Sequence, residues 1–299
     1  MTITTTKPKN YLNNKDILAE IHESKNSYCT YKEKEYNKYD MIIDIEDSSL
    51  SDCFKYMFKE ETLIKAKENR ANRLNIENDT NLTSNDIPTT DLVFRIMTWD
   101  HIPLSNKPVK KTVKKKTAKE IFEFEDVEED GFSDLEDPVT AVDVDDMVHV
   151  KVNFPPFQHF KIDQNNSVLC VGKSHWKGDL STGEFSKDHG NITNKLAKMY
   201  VMLCEKYAMK YNWRGYTYVD EMRNSAILQL TYVGLRFNEA KSANPFAYYT
   251  AAITNSFCRV LNTEKRNQNI RDDIMEMNGL APSWSRQSFG IGNSDNLFD

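Results

Sequence analysis

The sequence predicts a mainly α-helical protein: a three-helix core, a small β-containing insertion, a disordered linker of opposite charge blocks and a flexible C-terminal tail. Three observations carry that expectation. Apolar residues recur at intervals of three and four across residues 191–271. Residues 148–154 instead alternate apolar and polar, which is strand periodicity. The helical stretch is also set apart by charge: it holds twelve Lys+Arg against five Asp+Glu, or +7, in a chain of net charge −6, so the remainder sums to −13. A basic helical module on acidic flanks suits a polyanion, and nucleic acid is the usual one.

Length and composition narrow the class. The 299 residues allow one large or two small domains. Charged residues make up 28% of the chain, and the 10 glycines are few for a doubly wound nucleotide-binding fold. No run approaches the roughly 20 apolar residues of a membrane helix. Met1 to Asn10 lacks an apolar signal core, and five scattered cysteines (Cys29, Cys53, Cys170, Cys204, Cys258) lack paired spacing. Both features predict reduced thiols in a cytoplasm.

The elements follow in order. Residues 1–25 form an N-terminal segment in which Asn14 caps a short helix bearing Ile17, Leu18 and Ile21 on one face. Residues 26–105 read as a mixed helical insertion, with a helical pattern through Phe54, Met57, Phe58 and Ile64, loop chemistry over 75–91 and a short apolar piece at Leu92–Met97. Residues 106–147 read as a flexible linker: seven lysines lie within 107–119, and 120–146 carry thirteen acids without Lys or Arg. Residues 148–190 read as a small β-hairpin appendage with strands at Phe157–Ile162 and Val168–Val171 and a turn at Asn165-Asn166.

The core spans 191–278. Its first helix follows Asn191, with Ile192, Leu196, Met199, Leu203 and Tyr207 on the buried stripe. The second takes Thr217 as cap and buries Met222, Ala226, Leu230 and Val233. The third begins at Asn244-Pro245, an N-cap followed by proline at the first helical position. Its stripe is Phe246, Tyr249, Ile253, Phe257 and Val260, with Arg259, Lys265 and Arg266 toward a basic end. Residues 279–299 read as a tail.

Candidate chemistry is sparse. Gly172-Lys173-Ser174 resembles the end of a phosphate loop, but the pattern needs a glycine where Ser167 stands, so a turn after a strand is the preferred reading. Cys170, His175, His189 and nearby His159 could ligate zinc, yet they lack the paired spacing of structural sites, and no metal or other cofactor is predicted. Tyr211, Trp176 and Trp213 could stack on bases, or Trp213 could seal the core; Arg214 beside it could hold phosphate. Tyr248, Tyr249, Asn255, Arg259, Lys265 and Arg266 combine stacking, base-edge and phosphate chemistry on the third helix or just past its end. Tyr249 also belongs to the apolar stripe, so Tyr248, Asn255 and Arg259 carry more of the functional expectation.

Several segments carry a resemblance. Asn10-Tyr11-Leu12-Asn13-Asn14-Lys15-Asp16-Ile17-Leu18, Tyr211-Asn212-Trp213-Arg214-Gly215-Tyr216-Thr217 with Glu221-Met222, Phe237-Asn238-Glu239, and Asn244-Pro245-Phe246-Ala247-Tyr248 with Thr250, Asn255, Phe257 and Lys265-Arg266 resemble the late-transcription sigma factors of T-even-type bacteriophages. The likeness spans about 10–25 and 191–271, roughly a third of the chain. It implies a sigma-region-2-like helical core and a non-enzymatic role: binding the clamp helices of the largest subunit of host core RNA polymerase, in the host cytoplasm, and directing that core to A/T-rich late promoters. It implies polymerase contacts at Glu221, Asn224 and Ser225, a promoter strand along the third helix, and a late co-activator as further partner. Ala251-Ala252 stand where housekeeping sigma factors place paired tryptophans, and 26–190 has no counterpart in the short phage version. The ending Ser294-Asp295-Asn296-Leu297-Phe298-Asp299 is similar to the family's sliding-clamp tail, which implies a clamp contact by Leu297 and Phe298. Two other readings stand beside this one: a stand-alone three-helix DNA-binding regulator, and a polymerase-binding adaptor without DNA contact.

Overall fold

The structure is a computed structural model that describes residues 12–45, 49–105 and 149–287. The charged linker expected at 106–147 and the clamp-contact residues Leu297 and Phe298 lie outside the described residues. Helix predominates, accompanied by one mixed sheet and one small hairpin, and the chain divides into two units.

The sheet unit comprises Asn13–Leu196 and Leu235–Ala243. It opens with α1 (Asn14–Asn26), capped by the Asn13 side chain, which accepts from the Lys15 amide. Strands β1 (Cys29–Tyr31) and β2 (Met41–Ile43) precede α2 (Leu50–Met57) and α3 (Glu60–Asn78), and β3 (Val93–Met97), β4 (Phe157–Ile162) and β5 (Val168–Ser174) complete a five-stranded sheet of order β1-β5-β4-β3-β2. The β2–β3 pair is parallel and the others antiparallel. A two-stranded hairpin, β6 (Trp176–Lys177) with β7 (Glu184–Phe185), follows.

Alternation sorts the two faces of the sheet. Phe94, Ile96, Phe160 and Ile162 meet Cys53, Met57, Ala66 and Ala71 of α2 and α3 in one apolar cluster. Arg95 and His159 point to the other face. Gly172 is required there: a Cβ at this position would lie 2.4 Å from the Tyr31 ring.

Several expectations need correction. The hairpin at 157–174 is no appendage, because β4 sits between β3 and β5 at the centre of a sheet whose outer strands come from residues 29–43. The strand expected from Val148 does not form over 150–156; only His149 makes an isolated bridge, to Leu104, and Pro155-Pro156 cannot supply ladder donors. Turn chemistry was legible: Asn166 takes the left-handed conformation, φ 55°, between β4 and β5.

The helical unit's described residues are 12, 197–234 and 244–287. They hold most of α4 (Asn194–Ala208), a short 3-10 turn at Tyr211–Trp213, α5 (Val219–Val233) and α6 (Pro245–Met277). The Thr193 hydroxyl accepts from the Leu196 amide at the start of α4. Thr217 is not the cap of α5; Tyr218 precedes that helix without a side-chain cap bond. Asn244 caps α6 through the Ala247 amide, and Pro245 stands at its first position, as expected.

Helix α6 is 33 residues long and runs past the expected basic end, so Lys265 and Arg266 lie inside it. It stops in a Schellman arrangement, with Gly279 N–H on Glu276 O (3.0 Å) and Leu280 N–H on Met275 O (2.8 Å). Gly279 takes φ 72° there. The following residues are not a free tail: Ser283 bonds Asp272, and Arg286 pairs with Asp273 and Glu276.

The core of this unit is aromatic. Phe257 is 0% exposed, and its ring lies 5.1 Å from both Tyr207 and Trp213. Gly234 ends α5 where a Cβ would come within 2.1 Å of the Tyr200 hydroxyl. Phe257→Ala is expected to cost about 3–5 kcal/mol, while Asn255→Ala, two positions away on the exposed side, stays within about 0.5 kcal/mol. Urea denaturation of the two variants checks the contrast.

Candidate nucleic-acid and polymerase interface

Helices α5 and α6 each divide into a core side and a solvent side. On α5, Met222, Ala226, Gln229, Leu230 and Val233 are buried, while Glu221, Asn224, Leu228, Thr231 and Tyr232 form the exposed stripe. Leu228 is 49% and Tyr232 56% exposed, an apolar pair four residues apart at the end of that stripe. Ser225 does not belong to it. Its hydroxyl lies 3.1 Å from that of Ser256, so it joins the two helices, which corrects its expected role as a polymerase contact.

On α6, Asn255, Lys265 and Arg266 are exposed and Arg259 is half-buried. Tyr249 is 0% exposed, which corrects its assignment as a DNA contact. It stands edge-on to Tyr200, and its hydroxyl donates to Gly234 O (3.0 Å). Tyr248 is half-buried and donates to Val233 O (2.9 Å). The adjacent tyrosines thus satisfy carbonyls that the end of α5 leaves without helical partners. Tyr248 retains part of its ring face for contact, but its hydroxyl is engaged.

Trp213 is 8% exposed against Phe257, which settles its two readings in favour of the core; Tyr211 is 86% exposed. Arg214 is exposed, with Nε on Met209 O (3.1 Å). The charge contrast is smaller than the sequence window suggested. Described residues of this unit carry ten Lys+Arg against seven Asp+Glu, because Lys195, Arg236 and Lys241 fall in the sheet unit and α6 extends through Asp272, Asp273 and Glu276. What survives is local: from Pro245 to Arg271 the only acid is Glu264. It receives a hydrogen bond from Asn267 Nδ2.

The other candidates resolve into structure. Gly172-Lys173-Ser174 lies within β5, with Lys173 Nζ on Leu180 O (2.8 Å) and over the Trp176 ring, so no phosphate loop forms. Trp176 itself donates Nε1–H to Asp179 O (2.9 Å). The four suggested zinc ligands are not brought together, and no group of three or more metal-ligating side chains occurs among the described residues. Cys170 lies by Gln158, and His159 belongs to a different cluster.

That cluster is the feature sequence reasoning missed. Arg95 is fully buried on the second face of the sheet, sandwiched between the rings of Tyr39 (4.0 Å) and Phe157 (3.8 Å). Its Nε donates to His159 Nε2 (2.9 Å). Lys25, 1% exposed, donates to Phe237 O (2.7 Å) and to Glu239 Oε1 (2.8 Å), and Glu239 Oε2 stands 4.0 Å from Arg95. Burial raises the Glu239 carboxyl, but Lys25, Arg95 and His22 outweigh it and bring it to about 2. Burial and then the Arg95 charge lower His22 to about 3 and hold His159 well below its ordinary range. Only a lone arginine inside the apolar piece 92–97 hinted at this.

Comparisons of the chain with protein-family models, with curated proteins and with solved structures return no match. No described helix is long and apolar enough to cross a membrane.

Two predictions follow from the buried charges. Glu239→Gln leaves Lys25 and Arg95 without their carboxylate and is expected to cost about 3–5 kcal/mol, and a second change, Lys25→Met, recovers part of the loss. Urea midpoints of the single and double variants measure this. The imidazoles set the pH dependence. His22 and His175 sit at about 3 and His101 at about 4, so the folded state excludes protons that the unfolded chain takes up near 6.5. Their contribution is complete above pH 6.5 and is lost progressively as pH falls toward 3. The urea midpoint is expected to drop between pH 7.5 and pH 5.

Proposed function

We propose that the chain is a phage-encoded alternative sigma factor, which binds host core RNA polymerase and directs it to A/T-rich late promoters. The observation that carries the reading is the division of labour between two helices in one unit. Helix α5 exposes a stripe of Glu221, Asn224, Leu228 and Tyr232 suited to a protein partner, and α6 exposes polar and basic residues along a stretch whose single acid, Glu264, is half-buried. The likeness of residues 10–25 and 191–271 to the phage late sigma factors supports the same assignment. Phosphates along a displaced strand would meet Arg259, Lys265 and Arg266, since cations dominate nucleic-acid affinity. Asn255 offers paired donor and acceptor to a base edge. The sliding clamp and a late co-activator are the further partners of this reading.

The test is transcription from a phage late-promoter template by purified chain plus bacterial core polymerase. Initiation dependent on the chain is expected. Arg259→Ala with Arg266→Ala should shorten the lifetime of the open complex at least tenfold while leaving the holoenzyme intact. Leu228→Ala with Tyr232→Ala should instead weaken polymerase capture, read by pull-down. Tight, salt-sensitive binding to free duplex without polymerase would favour the stand-alone regulator, and polymerase binding without crosslinks to promoter DNA would favour the adaptor.

A further inference from the structure

The polar side of α6 has a period. Asn255, Asn262 and Asn269 recur every seven residues, and Arg259 and Arg266 fall four residues after the first two. Seven residues make nearly two helical turns, with a drift of only about 20° per step. The three asparagines therefore share one face, and all three are exposed. None of their side-chain amides has a hydrogen-bond partner among the described residues. Asparagine is a middling helix former, and an exposed helical surface chosen for stability alone favours Ala, Lys, Glu or Arg. Three of them in register on a ridge about 21 Å long suggest selection for recognition rather than for the helix.

We propose that Asn255, Asn262 and Asn269 form a periodic adenine reader on the unpaired promoter strand. The inference rests on the sigma-factor reading and adds to it two specificity-determining residues, Asn262 and Asn269, and a spacing. Successive asparagines rise by about 10.5 Å, which matches three stacked nucleotides at about 3.4 Å each. An Asn amide pairs in two hydrogen bonds with adenine N6 and N7, its oxygen accepting from the amino group and its nitrogen donating to N7. Arg259 and Arg266, between the readers, supply the cations that hold the intervening phosphates.

Two features choose the occupant. Charge complementarity selects a polyanion: Glu264, the single acid between Pro245 and Arg271, lies on the half-buried side of the helix and accepts from Asn267. Shape selects a single strand over a duplex. A straight ridge of about 21 Å outruns a major groove about 12 Å wide, whose curvature withdraws base edges from the ends of a straight helix. A displaced strand can follow the ridge along its length. The ridge ends at Asp272 and Asp273, which bond Ser283 and Arg286.

The experiment uses the full chain assembled with bacterial core polymerase on an A/T-rich template opened by mismatches. The adenines of the non-template strand are replaced one at a time by 7-deazaadenine, which lacks the N7 acceptor and leaves Watson–Crick pairing intact. Complex lifetime under competitor challenge is expected to fall about tenfold at positions three nucleotides apart. Asn262→Ala and Asn269→Ala should each abolish the penalty at one position, with holoenzyme assembly unchanged; as exposed helix positions, both tolerate alanine. If the holoenzyme initiates but no position is sensitive, or the variants keep every penalty, the reader is overturned and the sigma reading stands. Sensitivity confined to fully paired template overturns it in favour of groove recognition. Failure to bind polymerase or initiate at all overturns the proposed function, and the reader with it.

Discussion

The sheet unit depends on burying two cations with one carboxylate. Removing each ion from water costs several kcal/mol, so every charge needs compensation within reach. Glu239 meets Lys25 at 2.8 Å, and Arg95 is held between two aromatic faces with an imidazole nitrogen as acceptor. This fixes the tautomer of His159: Nδ1 donates to Tyr36 O, which leaves Nε2 to accept from Arg95. A proton on either His159 or His22 would add a third cation to the same interior. The constraint reaches far along the sequence, because four separate segments meet in it: His22 and Lys25 of α1, Arg95 of β3, His159 of β4 and Glu239. It also sets the conformation of residues 235–243, the connection between α5 and α6, whose Phe237 is 3% exposed and whose Glu239 is clamped.

In the helical unit the corresponding constraint is the end of α5. Its last carbonyls need donors, and two consecutive tyrosines of α6 supply them, one to Val233 and one to Gly234. That arrangement fixes the rotation of α6 about its own axis. Once Tyr249, Ile253 and Phe257 face inward, Asn255, Asn262 and Arg266 must face solvent. Core packing and the presentation of polar groups are therefore one decision, made at the first turns of the helix.

Helix periodicity made the helical unit legible. Stripes at three and four gave α4, α5 and α6, and Asn244-Pro245 marked a start that the backbone adopts. The basic end expected at Lys265-Arg266 falls short of the helix because residues 261–277 are polar, so no apolar stripe signals that it continues; the stop lies at Asn278-Gly279, where the core was expected to end. The sheet was only half legible. The β4–β5 hairpin showed its alternation and its turn, but β1 and β2 are three residues each, too short for any period, and pairing 29–31 with 172–174 is a long-range fact. At the interface, surface residues were read better than packed ones. Asn255, Lys265 and Arg266 are exposed as expected. The apolar stripe already pointed Tyr249 inward and Trp213 had a core reading beside the stacking one, whereas Ser225 is held by Ser256 of another helix, which no local pattern reveals.

The alanine pair at 251 and 252 bears on how a strand would be held. Ala252 is 6% exposed within the core, so an indole there would overpack it, while Ala251 lies on the solvent side next to Asn255. Helix α6 thus lacks room for an aromatic wedge at one position and presents a methyl group at the other. On the proposed reading, opening cannot rest on stacking by this pair, and an A/T-rich element is the substrate that least requires it. Retention of the opened strand then falls to hydrogen bonds and phosphate contacts spread along the helix. Such contacts act after the bases separate, so they stabilise the open state more than they speed its formation, and their strength falls as salt rises.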